Sequence, residues 1–255
     1  MRALLKGLGI ILLLLIYSLL SGVILLLPVP RKTKRSASIK TSSVFARILL
    51  LLLGIRVRVK HRERLRLPGD ARLIVANHLS YIDVLVIAAL VPSVFITSVE
   101  LKNTALLGTL ARLGGCLFVE RRKPSGLKDE IRDIAAVLGQ GITVALFPEG
   151  TTSNGDRVQP FKNSLFDAAV STRADVVPVC FRYTRVNREQ LGRQNRDAVF
   201  YHGGVTFLKH APSLLALRSI EIEVVVLKAI RAQDGRTRKE VAALAHSAIS
   251  GAYQG

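Results

Sequence analysis

The sequence predicts an α/β domain in layers, with a largely buried mixed sheet flanked by helices, behind an N-terminal membrane helix or two-helix membrane anchor. Short apolar runs typical of buried strands alternate with helix-like patterns from about residue 73 onwards. Before them, residues 7–30 form one uncharged apolar run, long enough for a helix that crosses a bilayer core. We therefore divide the chain into an anchor, residues 1–66, and a folded domain, residues 67–255.

The anchor contains two apolar runs. A cleaved signal peptide fits residues 7–30 poorly, because the run is longer than a typical signal core and no small-x-small site follows it. The second run, residues 48–55, is too short to span and is predicted to lie in the membrane interface, after a basic linker. A helical hairpin of the two runs, dipping into one leaflet, is the alternative.

Positive charge is concentrated beside the anchor. The formal net charge is +19, and residues 1–66 hold 14 Lys or Arg against a single acid, Glu63. Such a stretch is attracted to anionic lipid head groups, and the positive-inside rule places the folded domain on the cytoplasmic side of the cell membrane. Nucleic acid is not an expected partner, because the basic cluster adjoins apolar segments and no nucleic-acid-binding signature is present.

The elements of the domain are predicted in chain order from apolar runs, helical periodicity and capping residues. Residues 127, 131, 134 and 138 share one helix face, and Thr237 and Glu240 form a capping box that opens the last helix. Strands are predicted at 73–76, 94–97, 116–119, 142–147, 176–182 and 221–227, and helices at 84–90, 104–112, from 127, at 164–170 and after 237.

His78 and Asp83 follow directly on the predicted strand 73–76. An imidazole can accept a proton from a hydroxyl that attacks a carbonyl, and a carboxylate on its other nitrogen fixes the tautomer. This pair indicates acyl transfer or hydrolysis. Ser80 and Asp83 also form a capping-box pattern, so the alternative is that Asp83 only caps a helix.

A loop rich in hydroxyls and glycine, residues 147–155, follows the predicted strand 142–147. Loops at strand ends are where α/β proteins bind ligands. Glu149 there can bond a polyol hydroxyl or order an Arg, and Gly150 lets backbone amides approach an anion. A surface turn is the competing interpretation.

Arg121 and Arg122 follow shortly after the predicted strand 116–119. A guanidinium suits bidentate phosphate recognition, although paired arginines in so basic a chain are often only solvated.

Taken together, four blocks of sequence resemble those of the glycerolipid acyltransferase family, typified by 1-acylglycerol-3-phosphate acyltransferase. The resemblance covers roughly residues 70–185 and is specific as an ordered set. The blocks are His78 and Asp83; Gly115, Phe118 and Arg121; Phe147 to Thr151; and Val177 to Val179.

The resemblance implies a membrane-bound catalytic domain that moves a fatty acyl group to the sn-2 hydroxyl of 1-acylglycerol 3-phosphate, giving phosphatidic acid. It implies that His78 is the general base and that Asp83 orients it. The acceptor, a lysophospholipid, is expected to be bound by Arg121, Glu149, Gly150, Thr151 and Lys162. No covalent acyl-enzyme is needed.

Two departures from the family pattern bear on the acceptor. Thr152 stands where many members carry Arg, and Asn163–Ser164 stand where a Gly is common. Members with a Thr-Thr-Ser loop include enzymes that acylate lyso-ornithine lipid or other lysolipids, which is therefore the alternative function. A non-catalytic basic lipid-binding protein on the same scaffold is the alternative from another class.

Other chemistries lack their sequence signatures. There is no Gly-x-Ser-x-Gly elbow, no zinc spacing among the histidines and cysteines, and no Walker or dinucleotide loop. Cys116 and Cys180 are predicted to be small core residues. We expect no cofactor or metal, and a donor that arrives as an activated thioester, acyl-CoA or acyl carrier protein.

Overall fold

The computed structural model describes residues 2–66, 72–120, 126–232 and 235–253, which form helices on both faces of one sheet. The helices are α1 (Arg2–Leu26), α2 (Arg31–Leu53), α3 (Tyr81–Leu90), α4 (Val99–Lys102), α5 (Ala105–Leu113), α6 (Leu127–Gly139), α7 (Asp167–Thr172), α8 (Phe207–Ala216) and α9 (Arg238–Ala252). The strands are β1 (Ile55–Lys60), β2 (Leu73–Ala76), β3 (Val94–Ser98), β4 (Leu117–Val119), β5 (Val144–Leu146), β6 (Val176–Val186), β7 (Glu189–Gln190) and β8 (Ile220–Val226).

The described strands form an eight-stranded mixed sheet in the order β1-β8-β6-β2-β5-β3-β4, with β7 paired to β6. The run from β6 to β4 is parallel, whereas β8 is antiparallel to β6 and parallel to β1. Central parallel strands are covered on both faces, and all four residues of β2 are buried. The predicted fold class, an α/β domain with a largely buried mixed sheet flanked by helices, is confirmed.

The alternation of side chains along β2 divides the core into two layers. Ile74 and Ala76 belong to the cluster that α3 covers with Ile82 and Val86. Leu73 and Val75 belong to the opposite cluster, to which α6, α7 and α9 contribute their buried faces. The sheet is therefore the middle layer of three.

The first two helices form an antiparallel hairpin. At its open end, Lys6 Nζ donates to the carbonyl of Leu53, 2.9 Å away, at the C-terminus of α2. Further along, Tyr17 Oη lies 2.9 Å from Ser42 Oγ. Both helices are long and apolar enough to cross a membrane by length and composition.

The basic linker and residues 48–53 of the short segment predicted at 48–55 are thus two parts of one helix, α2, and Ile55 already belongs to β1. Its buried face consists of residues at helical spacing, many of them small: Ser38, Ile39, Ser43, Ala46, Leu50 and Leu53. A search for uninterrupted apolar runs misses such a face, because charged residues on the exposed side separate its members. The two-helix alternative is the arrangement seen.

The hairpin lies along the domain and contacts it at both ends. Lys6 Nζ also donates to the carbonyl of Leu217, just after α8. Near the hairpin turn, Arg35 donates to the side chain of Gln140, after α6. Strand β1, within the range 1–66 predicted to be the anchor, follows Gly54 directly and joins the sheet beside β8.

Candidate active site

The two sequence motifs meet because β2 and β5 are parallel neighbours. Val75 is paired with Leu146, so both strands end at the same edge of the sheet. The chain leaves β2 into His78 and leaves β5 into Glu149. Carboxyl ends of parallel strands are the usual place for a site in such a fold.

His78 and Asp83 are in direct contact. The Nδ1 atom of His78 lies 3.1 Å from Oδ2 of Asp83, whose side chain is fully buried while that of His78 is 17% exposed. The same Oδ2 accepts the backbone amides of Leu79 and Ser80, at 2.7 and 2.8 Å, where α3 begins. The same oxygen of Asp83 therefore caps the helix and contacts the histidine, so the two interpretations of this residue are compatible.

This contact fixes which nitrogen of His78 is available to a substrate. A carboxylate only accepts hydrogen bonds, so Nδ1 carries the proton and Nε2 is left as an acceptor. The imidazole also stacks on the ring of Phe147, with 4.0 Å between ring centroids and 16° between planes. A stacked ring with a bonded Nδ1 has little freedom to turn.

The backbone of His78 is held by the loop that follows β5. Glu149 Oε1 accepts the His78 amide at 2.8 Å, and its Oε2 accepts the amide of Gln159 at 3.1 Å. The carbonyl of His78 accepts the amide of Ser153 at 2.9 Å. Glu149 is 5% exposed, and its carboxylate bonds two backbone amides and so holds the loop in place. Any contact with an acceptor would be in addition to these two bonds.

Burial of Glu149 leads to a prediction about pH. Burial raises the pKa of Glu149 to about 7, against two backbone bonds that lower it. Since the folded state holds this proton more tightly than the unfolded state, the contribution of Glu149 to stability is fully present below about pH 4.5 and is lost as pH rises to about 7. We expect the melting temperature of the wild type to fall over this range relative to that of a variant that lacks this carboxyl group.

The matched variant is Glu149→Gln, which keeps the size of the side chain and removes the titration. We expect its melting temperature to change less than that of the wild type over the same range. An equal fall in both proteins would contradict the assignment to Glu149.

Gly150, Thr151 and Lys162 lie on the same loop. Gly150 has φ +78°, a conformation that favours glycine, and a Cβ built there would lie 3.0 Å from Lys162 Nζ. The amide of Lys162 donates to the carbonyl of Pro148, and both Thr151 and Lys162 are exposed. Arg121, the fifth residue predicted to bind the acceptor, lies outside the described residues.

Two residues that sequence reasoning missed complete the surroundings of the pair. The side-chain amide of Asn77 bonds both backbone groups of Phe181 on β6, at 2.7 and 3.1 Å. Tyr183, two residues further on the same strand, donates its hydroxyl to Oδ1 of Asp83 at 2.7 Å. The position of Asn77 beside His78 was a usable signal. Tyr183 had none, because it follows the predicted strand 176–182 and is remote in sequence.

A cavity of about 540 Å³ adjoins this network. Tyr183 and Phe200 line it, together with Arg193, Arg196 and Tyr253. The Tyr253 hydroxyl donates to the carbonyl of Gly155, which also lines the cavity. The cavity therefore borders both the Glu149 loop and the tyrosine that contacts Asp83.

Comparisons with known proteins identify the family of this chain. A family model described as Acyltransferase matches residues 56–182. The lyso-ornithine lipid O-acyltransferase of Rhizobium meliloti (strain 1021) is 35% identical over 205 residues, which cover 78% of this chain and 69% of that protein. The 1-acyl-sn-glycerol-3-phosphate acyltransferase of Neisseria gonorrhoeae is 35% identical over 111 residues, 44% of each chain.

A solved structure has the same fold over nearly the whole chain. It is the crystal structure of the 1-acyl-sn-glycerophosphate (LPA) acyltransferase from Thermotoga maritima, with a TM-score of 0.70 at 20% sequence identity. The match covers 99% of this chain and 95% of that one. From these relatives and the family model, the chain belongs to the acyltransferase family that includes the lyso-ornithine lipid and 1-acylglycerol-3-phosphate acyltransferases.

Proposed function

We propose that this protein is a membrane-bound O-acyltransferase that moves a fatty acyl group from acyl-CoA or acyl carrier protein to the free hydroxyl of a lysolipid. The observation that carries the proposal is the contact between His78 and Asp83, at the end of β2. Membership of the acyltransferase family supports the reaction class. An intact pair with an available Nε2 argues against a non-catalytic lipid-binding protein.

In the proposed reaction, His78 Nε2 takes the proton as the acceptor oxygen attacks the thioester carbonyl. The new C–O bond gives a tetrahedral intermediate, which collapses as the C–S bond breaks and the thiol leaves with the proton. Buried Asp83 stabilises the imidazolium that forms in between. The acyl group passes directly from sulfur to oxygen, so the enzyme needs no nucleophile of its own.

For the acceptor, we propose lyso-ornithine lipid first. The relative of that name matches 78% of this chain, whereas the Neisseria relative matches 44%. Thr152 points the same way, because a neutral residue stands where the phosphate-binding pattern often has Arg. The second candidate is 1-acylglycerol 3-phosphate, favoured by the cation of Lys162 close to Gly150.

The acceptor head group is proposed to bind at the loop after β5. Gly150, Thr151 and Lys162 would contact it there, with Arg121 as a further cation. Glu149 would act mainly by holding the loop against His78. The roles of Gly150, Thr151, Lys162 and Arg121 carry over the expectations from the family blocks, whereas that of Glu149 follows from its two backbone bonds.

We further propose that the hairpin of α1 and α2 lies in one leaflet, with the domain on the cytoplasmic side. The outer face of α1 is a stripe of exposed leucines, among them Leu4, Leu8, Leu12, Leu15 and Leu19. Since the hairpin contacts the domain at both ends, a spanning arrangement would draw the domain into the bilayer. Lys and Arg near the hairpin turn suit anionic head groups.

The decisive experiment is an acceptor panel with the purified protein. Thiol release is measured with two donors, acyl-CoA and acylated acyl carrier protein. Each donor is tested without acceptor, with lyso-ornithine lipid and with 1-acylglycerol 3-phosphate. The products are identified by mass spectrometry. We expect acceptor-dependent release, with kcat/KM higher for lyso-ornithine lipid.

The panel separates the candidates. A higher kcat/KM for 1-acylglycerol 3-phosphate than for lyso-ornithine lipid would identify the second candidate as the preferred acceptor. If no lysolipid is acylated with either donor, the proposal that this protein is a lysolipid acyltransferase is wrong. His78→Ala serves as the background control in each reaction.

A further inference from the structure

The buried carboxylate of Asp83 is bonded on both oxygens. Oδ2 accepts two backbone amides and faces His78, while Oδ1 accepts the hydroxyl of Tyr183 at 2.7 Å. Burial, and after it the charge of Asp83, raises the pKa of Tyr183 well above its usual value. The phenol therefore stays protonated and serves as a donor.

Strand β6 is held so that this tyrosine meets the pair. Asn77 fixes Phe181 through both of its backbone groups, two residues before Tyr183. The ladder between β6 and β8 then shifts register between Tyr183 and Arg185, which is the position of a bulge. Bulges next to active sites typically re-aim a side chain.

The ring of Tyr183 is packed independently of its hydroxyl. Phe200 lies against it edge to face, with 5.3 Å between ring centroids and 83° between planes. Tyr183 as a whole is 6% exposed. A phenylalanine at this position would keep the ring packing and remove the hydroxyl that donates to Asp83.

We infer that Tyr183 is a positioning residue that acts through Asp83 on His78, an inference that rests on the proposed function. Its bond to Oδ1 adds to the two backbone amides on Oδ2 in restricting rotation of the carboxylate, so that Oδ2 stays directed at Nδ1. It also draws charge toward Oδ1 and so moderates how strongly Asp83 holds the histidine proton. Without this bond, Oδ1 of the buried carboxylate loses the hydrogen bond from Tyr183, which is costly for a buried charged group.

The test is Tyr183→Phe in the whole chain of 255 residues. We expect kcat to fall about 10- to 100-fold, because a hydrogen bond to a charged group is lost, with the acceptor KM nearly unchanged. In an Asp83→Asn background, the same substitution should lower kcat by less than about threefold, because the two residues act as one unit.

The matched control is Tyr253→Phe. This substitution removes a part-buried hydroxyl bond of similar length, 2.6 Å to the Gly155 carbonyl, from the wall of the same cavity. We expect its kcat to stay within about twofold of wild type, since no bond to the pair is lost. Equal falls in both variants, or a full further fall in the Asp83→Asn background, would overturn the inference.

A second variant covers the case in which Tyr183→Phe does not fold. Replacing Tyr183 by 3-fluorotyrosine keeps the bond and makes a stronger donor, which should lower kcat about two- to fivefold by drawing charge from Asp83. An unchanged kcat overturns the inference. Failure of the proposed function is distinct, because the wild type would then acylate no lysolipid at all.

Discussion

His78→Ala is expected to lower acyl transfer by about 10²- to 10⁴-fold, because a positioned general base is lost. The fold should survive. Asp83 keeps two backbone donors and Tyr183 after the imidazole is removed, so no buried charge is left unbonded. The measurement is kcat for acceptor-dependent thiol release, with melting temperature and membrane association as checks.

The surface offers a matched control for this variant. His202 and Asp197 form a second histidine–carboxylate pair at the same separation, 3.1 Å, but Asp197 is 74% exposed there. His202→Ala should leave kcat within about twofold of wild type, since exposed pairs contribute little. Near-normal turnover in His78→Ala would contradict the proposed mechanism.

Asp83→Asn should be nearly as severe, with a fall in kcat of at least about 10²-fold. Asparagine can keep the acceptor that faces the amides of Leu79 and Ser80, and its amide group can donate to the Tyr183 oxygen. The cap and the packing are thus preserved, while the charge that stabilises the imidazolium is gone. The measurement compares kcat with melting temperature.

This comparison decides between the two roles of Asp83. A pure cap predicts nearly full activity in Asp83→Asn, because asparagine is itself a good capping residue. Asp197→Asn, at the exposed pair, is the control for the substitution itself. The double variant His78→Ala, Asp83→Asn should be no slower than His78→Ala alone, because the two residues act as a unit.

Much of the helix and strand pattern was predictable, because it depends on local periodicity. The fully apolar run at 73–76 and the helical face of α6 were both identified, and the Thr237–Glu240 capping box is present in the structure. Strand β1 was not predicted. It carries basic residues on its exposed positions, as an edge strand does, and resembled part of a charged linker.

The sequence by itself determined that His78 and Asp83 lie close together, since both belong to one turn after β2 and neither depends on the rest of the fold to be near the other. It also determined the apolar strands, the family blocks and the apolar first helix. Spacing alone encodes such short-range relations.

Only the tertiary structure decided what surrounds the pair. The pairing of β2 with β5 brings Glu149 to the backbone of His78, and the pairing of β2 with β6 brings Tyr183 to Asp83. These residues are 71 and 100 positions apart along the chain. Strand order and register set such contacts, and they are a property of the assembled sheet rather than of any one segment.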